Sequence, residues 1–567
     1  MRRKMSTKVA AVLMAMAMAA TALTGCGSGG GGSSSETSAE SSQAASSESS
    51  TAEGEAEEAT QAAASGSFNE EGYPIVNEPL TLSILLCVRD IDSIIDPSEM
   101  ESVKELEEKT GIQLEWETVK SSDWGTKLNL MFASGEYPDI ILGNVDVEEY
   151  GVTQGIIVPF DDMMEEYMPI YTERIANEEN PALELSLTAS DGKHYNVGMI
   201  SSNGFNTDIH YFINQDWLDA LSLEMPSTID ELTETFRAFK TGDPNGNGEQ
   251  DEIPLEASLE GAQGVPWLLG LFGVPINGWA GNWFYLDENK QIQFAPAQEG
   301  FRQCMEWLHQ LYEEELVDSE ILSQDENTIS SKLAEGNVGF FTAWRLTAMG
   351  WDDGVALNCG LYTPGESNGV KPMLSRTVDI ATASSGAHIT SSNQHVPETM
   401  RLLDAMIETE MMYSLYYGVQ GTGWEYNAEN GKIDAPLDVE NFGTGTKTCL
   451  DANALFFAPS KYVNEVRNPS SGTLEKLPYC ENYEDAGIVQ TYSNQYLNLI
   501  RLTAEQNEEI NLKMTDIKNY VNEHISSFIS NGVTDDSWNV YVEEFPALGT
   551  EDIQTTYQEA IDQMDLQ

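Results

Sequence analysis

The order of apolar segments between Thr81 and Leu142 constrains the fold of this chain more than any other feature. Short apolar runs with strand patterning alternate with segments of helical periodicity. The predicted elements are a strand at Thr81–Val88, a helix at Ser102–Thr110, a strand at Ile112–Val119, a helix at Trp124–Ser134 and a strand at Asp139–Leu142. This order predicts an α/β fold, in which a parallel sheet carries helices on its faces.

Ligands of such sheets bind beyond the carboxyl ends of the strands. The loops after Val88, Val119 and Leu142 are therefore expected near a cleft. Among the loop residues, Arg89 and Asn144 have side chains that can hydrogen-bond a ligand, and we predict both as ligand-binding residues.

The first 25 residues have the pattern of a signal peptide. Basic residues between Arg2 and Lys8 precede an apolar run from Val9 to Leu23. This run is shorter than the roughly 20 apolar residues that span a bilayer. It ends in Leu23-Thr24-Gly25-Cys26, which resembles the bacterial lipobox. The resemblance implies that Cys26 is acylated and holds the protein on the outer face of the cell membrane. The alternative is an ordinary secretory signal followed by a chance cysteine.

The segment 26–70 is predicted to be the lipidated cysteine and a disordered linker. Residues 27–66 consist of Gly, Ser, Ala, Thr, Glu and Gln, without an aromatic residue. Such a composition buries too little apolar surface to offset the entropy of ordering. A flexible, negatively charged linker of this kind gives reach between a membrane and a folded body.

The formal net charge of −65 limits the partners of the chain. Nucleic acids, anionic membrane surfaces and polyanionic substrates need clustered Lys and Arg, and no such cluster is visible in the sequence. The folded body is too long for one core and predicts two lobes. We expect residues 71–205 in lobe 1 and 206–375 in lobe 2, with 376–567 returning to both lobes and ending in helices.

The cysteines do not predict a disulfide framework. They are Cys26, Cys87, Cys304, Cys359, Cys449 and Cys480, without CxxC or metal-type spacing. Cys87 lies in an apolar run and is expected to be a core thiol. One disulfide is still possible, and Cys449 with Cys480 is the pair to consider for it.

Several short motifs resemble one known family. They lie in order at Ala133–Ile140, Ile213–Leu218, Met225–Thr228, Asp243–Gly248, Asp251–Leu255, Val396–Asp404 and Tyr417–Tyr426. From about Leu80 onward the chain resembles the extracellular solute-binding lipoproteins of bacterial ABC importers, in the group with oligosaccharide and alginate binders. The resemblance implies a monomeric, two-lobe, periplasmic-binding-protein-like fold of type II. Its lobes are joined by a hinge, close on a ligand between them and deliver it to membrane permease subunits.

Carbohydrate binders need flat aromatic rings beside planar polar groups. The chain has 11 Trp, of which several lie in predicted loops. The predicted ligand-binding residues of this kind are Trp279, Trp283, Trp344, Arg345, Trp351, Trp424 and Tyr426. For each Trp the alternative is packing against a lobe.

The segment Asp243–Glu252 resembles the start of an EF-hand loop. Asp243, Asn245 and Asn247 occupy positions 1, 3 and 5, a Gly follows at 6, and Glu249 would offer its backbone oxygen at 7. Pro254 stands where a bidentate Glu is usual, so that Asp251 and Glu252 would close the site. We predict a structural calcium ion, with an Asx-rich turn without metal as the alternative.

Sequence motifs do not support an enzyme. The six His lack an HExxH pattern, and the chain has no GxSxG, no P-loop and no GxGxxG after a strand. Carboxylate pairs carry little weight among 93 acidic residues. The sequence therefore predicts an ABC-importer receptor for an oligosaccharide. A secreted glycan-degrading lipoprotein and a sensory or adhesive surface protein are the alternatives.

Overall fold

The computed structural model describes residues 68–88, 96–178, 181–201, 207–276, 283–346, 358–377, 382–437, 450 and 455–564. These residues belong to one compact unit that runs from Ala64 to the C-terminus. The leader, Cys26 and nearly all of the linker lie outside the described residues, as do Arg89, Trp279 and Trp351.

The described strands form two larger sheets and two hairpins. The strands are β1 Leu80–Val88, β2 Ile112–Lys120, β3 Ile140–Asn144, β4 Val197–Ser201, β5 His210–Asn214, β6 Ile253–Leu255, β7 Phe284–Leu286, β8 Ile292–Phe294, β9 Val338–Ala343, β10 Cys359–Leu361, β11 Thr382–Ile389, β12 Glu425–Tyr426, β13 Ile433–Asp434 and β14 Phe457–Ala458. The first sheet has the order β14-β4-β11-β3-β1-β2, and the second has the order β10-β5-β9-β6.

Helices cover both sheets. They are α1 Glu101–Thr110, α2 Ser121–Ser134, α3 Asp161–Tyr167, α4 Pro169–Asn177, α5 Pro181–Leu187, α6 Gln215–Leu221, α7 Ile229–Gly242, α8 Val265–Leu268, α9 Glu299–Glu313, α10 Glu326–Glu335, α11 Val396–Met406, α12 Thr409–Tyr417, α13 Ser460–Val466, α14 Ser471–Asp485, α15 Ala504–Asn531, α16 Asp535–Glu543 and α17 Thr550–Ile561. Short 3-10 helices span Pro97–Glu99, Leu269–Phe272, Ala295–Ala297 and Asn494–Leu499, and a π-helical turn spans Glu148–Thr153. Of the helices described, none has the length and apolarity needed to cross a membrane.

The predicted βαβαβ order is confirmed in the first sheet. Strand β1 pairs in parallel with β2 on one side and with β3 on the other. Helix α1 ends at Gly111, whose φ of 78° is favourable for glycine alone. A Cβ atom there would also lie 2.8 Å from the carbonyl oxygen of Val76, so that the turn into β2 requires glycine.

Two predictions need correction. The first sheet is mixed, because β11 runs antiparallel to both β3 and β4. The sequence pattern of Pro397–Met412 predicts one helix, but the segment forms α11 and α12. The break lies at Glu408, whose ψ of 143° is extended and whose carboxylate accepts from Tyr73 and pairs with Lys109. These contacts stabilise the break between α11 and α12.

Each large sheet has its own hydrophobic core, which gives the two-lobe architecture expected from the sequence. In the first lobe, Leu82, Ile84 and Leu86 of β1 pack against α1 and α11, and Leu85 and Cys87 pack on the opposite face beside α2. Burial on both faces is typical of strands in parallel sheets, and it confirms Cys87 as a core thiol. The core of the second lobe joins β5 and β9 to α7, α9 and the C-terminal helices α15–α17.

The chain passes between the lobes at several points. It leaves the first sheet after β4 and enters the second at β5, and it returns between β10 and β11. It crosses again between α13, which packs in the first lobe, and α14, which packs in the second.

The described chain begins on the surface of the first lobe. Phe68 bridges to Val76, and Ile75 is buried in the core of that lobe. The guanidinium group of Arg401 donates to the carbonyl oxygens of Asn69 and Gly72. These contacts fix the entry of the chain to the first lobe.

Candidate functional site

The carboxyl ends of four strands lie at one edge of the first lobe. β1, β2 and β3 are parallel, and β4 has the same direction because β11 runs antiparallel to both β3 and β4. After β4 the chain leaves this edge for the second lobe. The edge that α/β sheets use for ligands therefore faces the second lobe.

The second lobe presents the carboxyl end of β9 to the same side. β5 begins at His210, directly after the crossing from β4, and His210 pairs with Ala343 at the end of antiparallel β9. Trp344 and Arg345 follow β9 at once. The topology thus brings Asn144, at the end of β3, and Trp344 to edges of the two lobes that face the crossing.

Trp344 has an open aromatic ring at this edge. It is 37% exposed, although its neighbours are packed. The guanidinium carbon of Arg345 and the ammonium of Lys476 lie 5.1 and 4.6 Å from the ring centroid. The carbonyl group of Trp344 lies 3.1 Å from Nδ1 of His210, and this contact ties the residue to β5. The Nε–H group of Arg345 is buried and has no hydrogen-bond partner among the described residues.

Beneath the Trp344 ring lies a buried polar cluster. Lys476 of α14 is 1% exposed, and its ammonium donates to the carbonyl oxygen of Asp208 at 3.2 Å. Burial lowers the pKa of Lys476 to about 7, against the attraction of the Asp208 carboxylate. Burial also raises the pKa of Asp208 and lowers the pKa of His210 to about 3. His210 is therefore neutral at physiological pH and Lys476 titrates close to that pH, whereas the guanidinium group of Arg345 is a permanent cation beside the ring.

On the first lobe, the ring of Trp124 holds the turn after β3. Its Nε1 donates to the carbonyl oxygen of Asn144 at 2.7 Å, and the Asn144 side chain is exposed. A Cβ atom at Gly143 would lie 2.6 Å from the Trp124 ring, so that only glycine fits there. Asn144 is therefore positioned by its backbone, and its amide group is open to a ligand.

A groove of about 750 Å³ continues from this edge along the junction of the lobes. Its first-lobe side carries Asp146, Glu148 and Glu149, which follow β3. Its second-lobe side is the first part of α15, with Asn507, Glu508, Asn511, Leu512 and Thr515. Carboxylates and amides of this kind accept and donate hydrogen bonds to hydroxyl groups.

The EF-hand-like segment forms a compact loop after α7. Oδ1 of Asp243 accepts from the backbone N–H of Gly248 at 3.3 Å. The amide groups of Asn245 and Asn247 both donate to the carboxylate of Asp251, at 3.0–3.1 Å. The backbone N–H of Glu249 donates to Oδ1 of Asn247. The polar side chains of the motif thus converge around Asp251.

Glu252 gives this loop an unsatisfied ligand. Its side chain is 2% exposed, and its Oε1 has no hydrogen-bond partner among the described residues. Burial raises the pKa of Glu252, and the carboxylates of Asp251 and Asp243 raise it further. An orphan carboxylate oxygen close to two other carboxylates fits a divalent cation. In the described residues, no group of three or more His, Cys, Asp and Glu side chains has the arrangement of a formed metal site.

Residues 93–413 of the chain match the bacterial extracellular solute-binding protein family. The chain belongs to this family. The match covers more than half of the chain and confirms the resemblance seen in its motifs.

Known relatives of this solute-binding protein bind oligosaccharides. The fructooligosaccharide ABC transporter substrate-binding protein FusA of Streptococcus pneumoniae is 27% identical over 527 residues, which cover 88% of this chain and 94% of FusA. The structure of FusA in complex with kestose is similar, with a TM-score of 0.72 and 25% identity over 85% of this chain and 99% of FusA. A FusA EF-hand mutant in complex with fructo-nystose gives a TM-score of 0.71 and 24% identity, with the same coverage.

In this solute-binding protein, Trp424 and Trp283 do not have the open rings expected from the sequence. Trp424 is 1% exposed, lies in the core of the first lobe against Tyr413, and donates from Nε1 to Oγ of Ser414 at 3.1 Å. Trp283 is buried in the second lobe beside Phe301. Both are corrected to packing residues, which was the alternative.

Tyr426 has an open ring in another place. It is 43% exposed, and its hydroxyl donates to Glu410 at 3.0 Å. The groove beside it, of about 760 Å³, is lined by first-lobe residues, among them Arg174 and Tyr462. Tyr426 is therefore not brought together with Trp344.

No sequence pattern pointed to Lys476, Asp208 and His210. They lie on α14 and at the start of β5, far from Trp344 in the chain, and each type is common on protein surfaces. Cys480, one of the two cysteines considered for a bridge, is a free buried thiol 3.3 Å from the hydroxyl of Thr207. Cys449 lies outside the described residues.

Proposed function

We propose that this solute-binding protein captures an oligosaccharide outside the cell and delivers it to the permease of an ABC importer. Trp344 carries the proposal, because an open indole ring stands at the lobe-facing edge beside an unsatisfied donor of Arg345. The apolar face of a sugar ring stacks on indole, and sugar hydroxyls accept from guanidinium groups. The similarity to FusA supports a fructooligosaccharide as the first ligand to test.

The opposite wall of the proposed cleft is the edge of the first lobe at Asn144 and Asp146. A ligand that touches both walls stabilises the closed arrangement by its higher affinity for that arrangement. Arg89, Trp279 and Trp351 remain further proposed contacts, on the strength of the sequence.

We also propose a structural calcium ion in the loop after α7. Asp243, Asn245, Asn247, Asp251 and Glu252 would hold it with side-chain oxygens, and Glu249 with its carbonyl oxygen. The orphan Oε1 of Glu252 and the existence of a FusA EF-hand mutant support this site. The ion would neutralise the carboxylates and connect the end of α7 to β6.

The lipid anchor on Cys26 and a monomeric state complete the proposal. The leader and the lipobox-like sequence support the anchor. Several acyl chains hold a protein stably on a membrane, since each buried CH₂ contributes about 0.8 kcal/mol.

Calorimetric titration of the mature protein with kestose and fructo-nystose tests the function. Binding should raise the free energy of unfolding by RT ln(1 + [L]/Kd), which a thermal melt with sugar present shows as a higher melting temperature. The sugar should be recovered unchanged. Hydrolysed sugar would instead support a glycan-degrading enzyme. If neither these sugars nor a wider glycan panel binds, the proposed function is wrong.

The variant Trp344→Ala tests the platform. Loss of the stacked ring should weaken sugar binding by about tenfold or more, with little change in the melting temperature of the ligand-free protein. Tyr426→Ala is the matched control, because it removes a similarly exposed ring from a groove of the first lobe. Equal losses of affinity in both variants would contradict the assignment of Trp344.

A further inference from the structure

Helix α5 is in contact with the cores of both lobes. Leu183 and Leu187, one helical turn apart, are buried in the core of the first lobe. Leu185, between them in sequence, packs against the core of the second lobe. A short helix with two apolar faces thus lies at the junction of the lobes.

Arg501 of the second lobe donates hydrogen bonds to the C-terminal end of this helix. Its Nε donates to the carbonyl oxygen of Thr188 at 2.9 Å, and its Nη2 donates to that of Leu185 at 2.8 Å. Nη2 also lies 3.5 Å from the carbonyl oxygen of Ser186. The neighbours Leu499 and Leu502 are buried in the core of the second lobe, so the base of the Arg501 side chain is fixed there.

This contact satisfies a physical need of both partners. The last carbonyl groups of a helix have no partner within the helix and carry partial negative charge. A guanidinium group offers several donors in a rigid fork, which fits adjacent carbonyl oxygens better than an ammonium group does. The hydrogen bonds between Arg501 and α5 are therefore directional, and they oppose rotation of the helix against the second lobe as well as its separation from that lobe.

The chain beyond α5 connects the contact between Arg501 and α5 to the proposed ligand cleft. The backbone N–H and the hydroxyl group of Ser190 donate to the carboxylate of Glu148, at 2.8 and 2.6 Å. Glu148 lines the groove at the junction of the lobes, and the opposite wall is α15, which begins at Ala504 shortly after Arg501. Arg501 thus stands at the base of both walls of this groove.

We propose that Arg501 is a positioning residue for ligand capture, which fixes α5 to the second lobe and thereby sets the separation of the two cleft walls. The proposal rests on the proposed function of the chain as a two-lobe receptor. Arg501 needs no contact with the ligand in this role.

Hydrogen exchange of the ligand-free mature protein tests whether Arg501 stabilises α5. In Arg501→Ala, the amides of α5 and of the following residues to Ser190 should exchange about tenfold faster than in the parent. Arg501→Lys should restore little, because one ammonium group cannot serve two carbonyl groups in fixed directions. Arg302→Ala is the matched control, since Arg302 also lies in the second lobe but pairs with Glu306 and Asp535 on its surface. Unchanged exchange in Arg501→Ala would overturn the proposal.

Scattering and binding then separate positioning from local stability. Small-angle X-ray scattering of ligand-free Arg501→Ala should show a larger radius of gyration than the parent, and kestose should bind about tenfold more weakly. Millimolar guanidinium ion should restore part of the affinity. Faster exchange with unchanged scattering and affinity would show a structural cap only. If the parent itself does not bind kestose, the choice of sugar is wrong, whereas exchange and scattering still decide the role of Arg501.

Discussion

The ammonium group of Lys476 lies 4.6 Å from the centre of the Trp344 ring, which joins α14 to the end of β9. Burial lowers the pKa of Lys476 to about 7, while Asp208 and Cys480 raise it and Arg345 lowers it. Among the described residues, Glu475 also raises the pKa of the amine, and the buried His210 faces it. The unfolded chain, in which a lysine titrates near 10.4, therefore binds more protons than the folded chain at intermediate pH.

This difference predicts how stability depends on pH. Between pH 7 and about 10 the free energy of unfolding should rise in the parent relative to Lys476→Met, because the unfolded chain holds one more proton than the folded chain and is disfavoured as protons become scarcer. The Met variant should have its largest advantage below pH 7. Urea denaturation at pH 6, 8 and 10 measures the effect. A constant difference between the two proteins at all three values would contradict the burial of a titrating amine.

A carboxyl pair in the second lobe predicts the opposite slope. Glu256 and Asp318 are both buried, and burial, followed by the charge of Asp318, raises the pKa of Glu256 to about 9. Lys332 pairs with Asp318. A proton on Glu256 would satisfy its Oε2, which otherwise has no donor among the described residues.

The stability that this proton gives is complete below the unfolded pKa of about 4.3 and is lost as pH rises through the folded pKa near 9. Glu256→Gln should abolish this loss, because an amide N–H replaces the proton at every pH. Thermal or urea unfolding at pH 5, 7 and 9 should show a weaker pH dependence for the variant than for the parent. Glu306→Gln, on the surface, is the control. If the stability of parent and Glu256→Gln depends on pH in the same way, the proposed proton on Glu256 is refuted.

Trp424 should matter for stability and not for affinity. Trp424→Ala should lower the free energy of unfolding by about 3–5 kcal/mol, because it empties a site in the core of the first lobe and leaves the hydroxyl of Ser414 without its partner. Trp424→Phe should cost less. Chemical denaturation and sugar titration at a temperature where the variant is folded measure both effects. Intact stability with lost affinity would restore Trp424 as a ligand platform.

The calcium proposal predicts a dependence on chelator. Removal of calcium should lower the melting temperature of the parent, and Asp243→Ala should have a low melting temperature that chelator does not change further. Asp287→Ala is the control, since Asp287 accepts backbone N–H groups of Asn289 and Gln291 in a different polar turn. A parent that contains no calcium by metal analysis and melts equally with chelator would show that the loop is a turn alone.

The lipid anchor predicts a change of location. Cys26→Ala should leave the precursor unprocessed or release the protein into the medium, because the acceptor of the acyl chains is lost. Fractionation of cells that express the variant, followed by mass spectrometry of the N-terminus, measures this. Normal processing with full retention on the cell surface would contradict acylation of Cys26.

Local patterns predicted those elements whose burial depends on near neighbours. The strands and helices from Leu80 to Asn144 follow apolar periodicity. Thr228 caps the start of α7, and its side chain accepts from the backbone N–H of Glu231. The solute-binding fold followed from the order of these elements together with the family motifs.

The candidate site was harder to predict, because its members meet only in the folded chain. Trp424 was predicted to be a ligand-binding residue, yet its ring packs back onto Ser414 of α12. Lys476 has no local pattern that distinguishes it from a surface lysine, and its burial depends on β5 and β9. Trp344 directly follows β9, and a Trp just after a strand is a local signal.

The attachment of Phe68–Val76 to the first lobe has a mechanical consequence. Since Arg401 and the buried Ile75 hold this segment on that lobe, a force applied through the preceding chain acts on the first lobe alone. If the proposed receptor closes on a ligand, the first lobe would be the fixed part and the second lobe, with Trp344, would be the part that moves. Tension in the proposed tether would then act on one lobe only, and it would not separate the two walls of the cleft.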